Sequence, residues 1–152
     1  MIDTALASFL QGSVSIHVGT RNERLEPSGT PATAARVEDD GRHLVVFVPA
    51  AAAPRIVPNL EANGHAAVVF VRPIDEKACQ VKGTFTGVRS ARDDERPLIE
   101  RQWGAFLGAL EHIGVGRALV QSWLTWPAVA VGLRVTAIFD QTPGKNAGAP
   151  LV

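Results

Sequence analysis

The chain has 152 residues, 46% apolar and 20% charged, with 15 basic and 15 acidic side chains that cancel to a formal net charge of zero. That length suits one domain with a real core, the composition excludes disorder, and the charge balance gives no support for a nucleic-acid partner. A single cysteine, Cys79, excludes an internal disulfide and a cysteine-rich zinc site.

From the amino end, TALASFLQ (residues 4–11) sets Leu6, Phe9 and Leu10 at helical spacing, with Thr4 as the expected cap. Val14, Ile16 and Val18 then alternate with Ser15 and His17, the pattern of a half-buried strand. The charged stretch from Arg21 to Gly29 contains Pro27 and reads as a loop. Residues 31–38 and 43–49 flank Asp39-Asp40-Gly41, which predicts a hairpin. HLVVFVP (43–49) is continuously apolar, so its strand is expected to be covered on both faces.

After Pro49, AAAAPRIVPNLEANG predicts a connection and a short helix, with Ile56 or Val57 and Leu60 facing the core and Asn63-Gly64 as the stop. Two strands follow, AAVVFVRP and ACQVKGTFTGVRS. Between residues 94 and 113, Ile99, Trp103, Phe106, Leu110 and Ile113 recur at helical steps behind Asp93 and Asp94. Gly114-Val115-Gly116 ends that helix, and a second is expected up to Trp126-Pro127. In AVAVGLRVTAIF, Val129, Val131, Leu133, Val135 and Phe139 alternate with Gly132, Arg134 and Thr136 as one long strand, and a turn-rich tail follows from about residue 140 to 152.

About six strands with short turns and a helical insertion at about 94–126 predict a single mainly β domain over residues 1–152, an α+β barrel whose closure removes exposed edges. No run approaches ~20 apolar residues, so no membrane span is expected. The start Met1-Ile2-Asp3-Thr4 lacks a signal-peptide pattern, and the expected location is the cytoplasm.

From Val45 to Gly83 the chain runs VVFVP, PRIVPNLEANG, AAVVFVRP and QVKGTF. This order resembles the FMN-binding split-barrel family related to pyridoxamine 5'-phosphate oxidase. The resemblance covers residues 5–90 and the final strand, and implies a six-stranded antiparallel split β-barrel. It also implies a homodimer with FMN in the cleft between subunits and an oxidoreductase activity on a small molecule. Thr33, Ala34, Ala35 and Arg36 then lie where the family contacts the ring and ribityl chain, Val48 and Pro49 at the end of the strand leading to the phosphate, and Gln80 and Lys82 on the return strand.

Arg55 is the phosphate candidate. It stands at the start of a predicted helix, where free amides and the dipole already favour an anion and a guanidinium adds a bidentate clamp. Where flavin-binding relatives carry Tyr-Thr and Ser-Arg-Lys, this chain has Val48-Pro49 and Pro54-Arg55-Ile56. Those replacements open an alternative of a different class: a non-catalytic protein of the same fold holding flavin or haem.

No catalytic residue is assigned, because in this reading the chemistry belongs to the cofactor. His17, His43, His65 and His112 stand singly on different elements, without metal-site spacing. Trp103 belongs to the helix stripe, and Trp126 is read as barrel packing or as a stacking partner for a ring. Cys79, inside a strand, reads as a small hydrophobe.

Overall fold

The computed structural model describes residues 1–120 and 122–151. Helix α1 (Thr4–Leu10) is capped by Asp3 rather than Thr4: the Asp3 carboxylate accepts the Leu6 N–H at 2.8 Å. Strands β1 (Ser15–Arg21) and β2 (Pro27–Ala32) pair from Ile16↔Ala32 to Arg21↔Pro27. The expected loop therefore shrinks to residues 22–26, where the Asn22 side-chain oxygen accepts the N–H groups of Arg24 and Glu26. Pro27 does not prevent pairing because β2 is an edge strand, where a missing N–H faces no neighbour.

Next come β3 (Ala34–Val37) and β4 (His43–Pro49), joined as expected through Gly41, whose φ of +61° suits glycine. A 3₁₀ turn (Ala53–Arg55) leads into α2 (Val57–Asn63), which stops at left-handed Gly64. Then follow β5 (His65–Val71), β6 (Ala78–Ser90), α3 (Arg96–His112) and β7 (Ala128–Asp140).

The strands form one antiparallel sheet in the order β2-β1-β5-β6-β7-β4-β3. Residues 27–37 are a single extended run broken only at Thr33, and its two halves sit at opposite edges of the sheet. That break makes the strand count seven rather than six, and it curls the sheet into a barrel. Thr33 anchors the corner: both its N–H (2.9 Å) and its hydroxyl (3.3 Å) donate to the Phe47 carbonyl.

Inside lie Leu10, Ile16, Val18, Leu44, Val46, Val48, Ile56, Leu60, Val68, Phe70, Val81, Leu133 and Ile138. The inward residue near the end of β7 is Ile138, not Phe139. Lys82 pairs with Ala137 but Gly83 with Val135, so Thr136 is an extra residue that reverses the alternation. β4 is covered on both faces as expected. Its outer side chain Phe47 is buried with Ala34, Ile99, Ala128 and Ala130 beneath α3.

The buried face of α3 carries Ile99, Gln102, Phe106, Leu107 and Ala109, while Ile113 is exposed. The second helix expected before Trp126 does not form. Among the described residues there is only a 3₁₀ turn (Arg117–Leu119), and 122–127 are non-helical. Leu119, Trp123 and Leu124 all stay exposed, so no buried apolar stripe offsets the cost of helix nucleation.

Gln102 completes the edge strand β3. Its side-chain oxygen accepts the Ala35 N–H at 2.9 Å, and its amide donates to the Ala35 carbonyl at 2.8 Å, all fully out of water. Gln102→Leu leaves both backbone groups without a partner and is expected to lower stability by about 2–4 kcal/mol. Urea denaturation checks this; an unchanged midpoint would show that the pair contributes nothing.

Candidate functional site

The outer face of β2, β1, β5 and β6 carries three adjoining cavities. The first, about 290 Å³, is lined by Thr33, Pro49, Ala51, Ala52, Arg55, Trp123 and Leu124, together with Thr30 and Pro31. A second, of about 490 Å³, shares Thr30 and Pro31 and adds His17, Gly19, Ala67, Val69 and Gln80. The third, of about 470 Å³, shares Gly19 and Ala67 and reaches Arg21, His65, Lys82, Thr84 and Thr136. Together they form a trough running from Arg55 to Lys82.

Strand register explains its shape. Same-face residues of paired strands form rows across the sheet. One row reads Gly29, Gly19, Ala67 and Lys82, so it has almost no side chain until Lys82 closes it. The row on one side is Pro31, His17, Val69 and Gln80; on the other side stand two pairs, Pro27 with Arg21 and His65 with Thr84, and Arg21, His65 and Thr84 line the cavity. A backbone floor thus lies between two walls.

The trough is electropositive although the chain is neutral. Among the described residues no Asp or Glu lines any of the three cavities, whereas Arg21, Arg55 and Lys82 do. Among the described residues none of these three cations is in an ion pair, while Arg36, Arg72, Arg89, Arg92, Arg96 and Arg117 all are. Lys82 Nζ lies 5.1 Å from the centre of the Phe139 ring. Arg55 is exposed in the 3₁₀ turn just before α2, and its carbonyl accepts the Ser28 hydroxyl at 2.7 Å, tying that turn to β2.

The nine residues singled out from the sequence separate into four groups. Thr33, Pro49 and Arg55 share the first cavity. Gln80 and Lys82 occupy the far part of the trough. Ala34, Ala35 and Val48 are fully buried, and the Ala35 backbone is occupied by Gln102. Arg36 belongs to an ion cluster on another face.

In that cluster Glu95 is 3% exposed and accepts from Arg36 at 2.8 Å, from Arg89 at 2.7 and 2.8 Å, and from the Arg92 N–H at 2.8 Å. The Arg89 guanidinium first, then the backbone and Arg36, hold the Glu95 carboxyl well below the usual carboxylate range against its burial. Arg36 also pairs with Glu38 at 2.9 Å. Cys79 is buried and its thiol is pushed up to about 12, which makes it a poor nucleophile and fits its reading as a hydrophobe.

Sequence reasoning missed Arg21, His65 and Trp123. The missing signal was register: Gly19 and Ala67 are unremarkable until β1 and β5 are paired.

No protein-family model and no curated protein matches the chain. Solved structures do. HupZ of Group A Streptococcus is 20% identical, with 97% of this chain and 100% of that one covered and a TM-score of 0.58. An FMN-binding protein from Syntrophomonas wolfei subsp. wolfei is 9% identical, with 91% and 85% covered and a TM-score of 0.55. An F420 reductase is 16% identical, with 86% and 93% covered and a TM-score of 0.54. The fold is therefore the split barrel of FMN-binding type that the sequence resembled.

The Glu95 cluster yields a pH prediction. Its folded-state carboxyl is depressed from the ordinary value of 4.5, so its contribution is fully present above that pH and is lost as pH falls further. Glu95→Gln should cost about 2 kcal/mol at neutral pH, less than a fully buried pair because its arginines are partly exposed. The wild-type advantage should narrow steadily below about pH 4.5. Denaturation midpoints of both proteins across that range check it; a constant gap would overturn the assignment.

Proposed function

We propose that this split-barrel chain binds FMN in the trough, with the cofactor phosphate on Arg55, and acts as a homodimeric, cytoplasmic oxidoreductase on a small molecule. The observation that carries this reading is the separation of charge: among the described residues, three cations outside any ion pair and no carboxylate border three adjoining cavities in a neutral protein. Such a surface suits a dianion attached to a flat, largely apolar ring. Likeness in fold to an FMN-binding protein and an F420 reductase supports the same cofactor class.

The residues present fit the phosphate end through Arg55, whose turn is fixed by Ser28 and whose guanidinium has no competing acid among the described residues. Pro31, Pro49, Ala51 and Ala52 supply apolar walls that exclude water, and Gln80 and Lys82 are the polar groups of the far end. When bound, the flavin supplies hydride and electron transfer; the chain binds, orients and desolvates. Dimerisation over this face would enclose the trough.

A second reading, a non-catalytic holder of flavin or haem, is favoured by one feature. Ile56 and Val48 point into the core, so a single cation serves the phosphate end.

FMN titration tests the proposal. Arg55→Ala removes charged hydrogen bonds of about 1.5–3 kcal/mol and should raise the FMN Kd by about tenfold or more, while Arg42→Ala, before β4 rather than after it, should leave it unchanged. Equal affinities of the two variants would end the phosphate role. A flavin spectrum with turnover by a reduced nicotinamide supports the enzyme, a flavin spectrum without turnover the holder, and a Soret band haem. Sedimentation should give twice the 16.1 kDa chain mass; a monomer at all concentrations would rule out the dimer.

A further inference from the structure

The cavity beside Arg55 has an aromatic wall that the phosphate reading leaves unused. Trp123 lines it with Leu124, and both are strongly exposed, at 44% and 71%. Large apolar side chains left open at the mouth of a cavity are surface awaiting a partner.

Trp123 is nevertheless not loose in orientation. Its ring stacks on Trp103 with centroids 5.8 Å apart and planes 26° from parallel. Trp103 in turn packs against Phe106 of α3 at 5.4 Å, and Phe106 is buried. An aromatic series therefore runs from the helix into the cavity wall, with spacings in the range that offset stacking prefers, about 4.5–7 Å. A side chain held in this way loses little further freedom when a ligand arrives.

Trp126 is not equivalent. The Arg96 guanidinium lies 5.4 Å from the centre of its ring, and it packs against the core cluster under α3. Its surroundings are already filled.

Around Trp123 the remaining walls are Leu124, Pro31, Pro49, two alanines and two threonines, Thr30 and Thr33, whose hydroxyls already donate to the Pro31 and Phe47 carbonyls; the one charged group is Arg55. Apolar walls, an oriented indole and a single cation select a planar aromatic ring joined to one anionic group. We propose that Trp123 is the stacking platform of the Arg55 site and that the flavin ring lies against it. This rests on the reading that Arg55 grips the FMN phosphate, and it adds the residue that recognises the ring.

The two roles separate with FMN and riboflavin, which share the ring but differ in the phosphate. Both are titrated against the full chain, followed by flavin fluorescence. Trp123→Leu should raise the Kd of both ligands by about five- to tenfold, in line with the strength of aromatic pairs, and should leave bound flavin brighter because indole stacking quenches it. Trp123→Phe should keep most of the affinity for both. Arg55→Ala should weaken FMN alone, and Trp126→Leu neither.

Unchanged affinities in Trp123→Leu, beside a weakened FMN in Arg55→Ala, would overturn the platform and leave the phosphate site standing. Equal losses in Trp123→Leu and Trp126→Leu would also overturn it. No flavin binding by the wild-type chain would remove both proposals. Should Trp123→Leu fail to fold, Trp123→Phe and Leu124→Ser carry the comparison: loss of affinity in the phenylalanine variant as great as in the serine variant would overturn the role of the aromatic face.

Discussion

Everything in this molecule depends on one corner at Thr33. The run from Pro27 to Val37 pairs with β1 in its first half and with β4 in its second, and those strands lie near opposite ends of the sheet. No regular strand can serve both edges. The break must therefore fall where the chain can turn without leaving a polar group exposed to the core, and Thr33 meets that need by giving its amide and hydroxyl to one carbonyl. Curling the sheet encloses the apolar side chains and turns the other face outward. The same corner puts Thr33 beside Pro49 and Arg55, so barrel closure and the first cavity are one geometrical fact.

The trough follows from what the outward positions lack. Gly29, Gly19 and Ala67 are adjacent only through strand pairing, and any long side chain at these positions would fill the floor. Charge is distributed in the same spirit. Six of the twelve arginines pair with nearby acids, with Glu95 alone engaging three. Those bordering the trough are left unpaired, and this gives a neutral chain a locally positive surface.

Much of the fold was legible in the sequence because strict alternation and turn chemistry are local signals. The hairpin at Gly41, the limits of β6 and β7 and the double cover of β4 all depend on near neighbours in the chain. What escaped reading depends on distant ones. Pro27 looked like a breaker because nothing local says that its strand lies at an edge. The bulge at Thr136 is set by its pairing with β6, so the exchange of Phe139 for Ile138 could not be seen in β7 alone. Gln102 interrupts an apolar stripe for the sake of a strand 67 residues away. The second helix was expected on periodicity, but no buried surface exists for it.

The site divides along the same line. Arg55 could be singled out from the sequence because a cation beside a predicted helix start is a local pattern, and the structure sets it in the 3₁₀ turn before α2. The trough that gives it meaning draws on residues from 17 to 136, and only the register assembles them.

The Gln102 amide has a consequence for how copies of this protein meet. A terminal strand normally offers its bare amides and carbonyls to any extended segment that drifts past, and stacking chains in that way is the first step of fibrous precipitation. At the centre of β3 a carboxamide, which matches a peptide group in its donor and acceptor, stands in for the absent neighbour and leaves no room for a real one. The β3 edge is thus closed at its centre to an added strand by a single side chain.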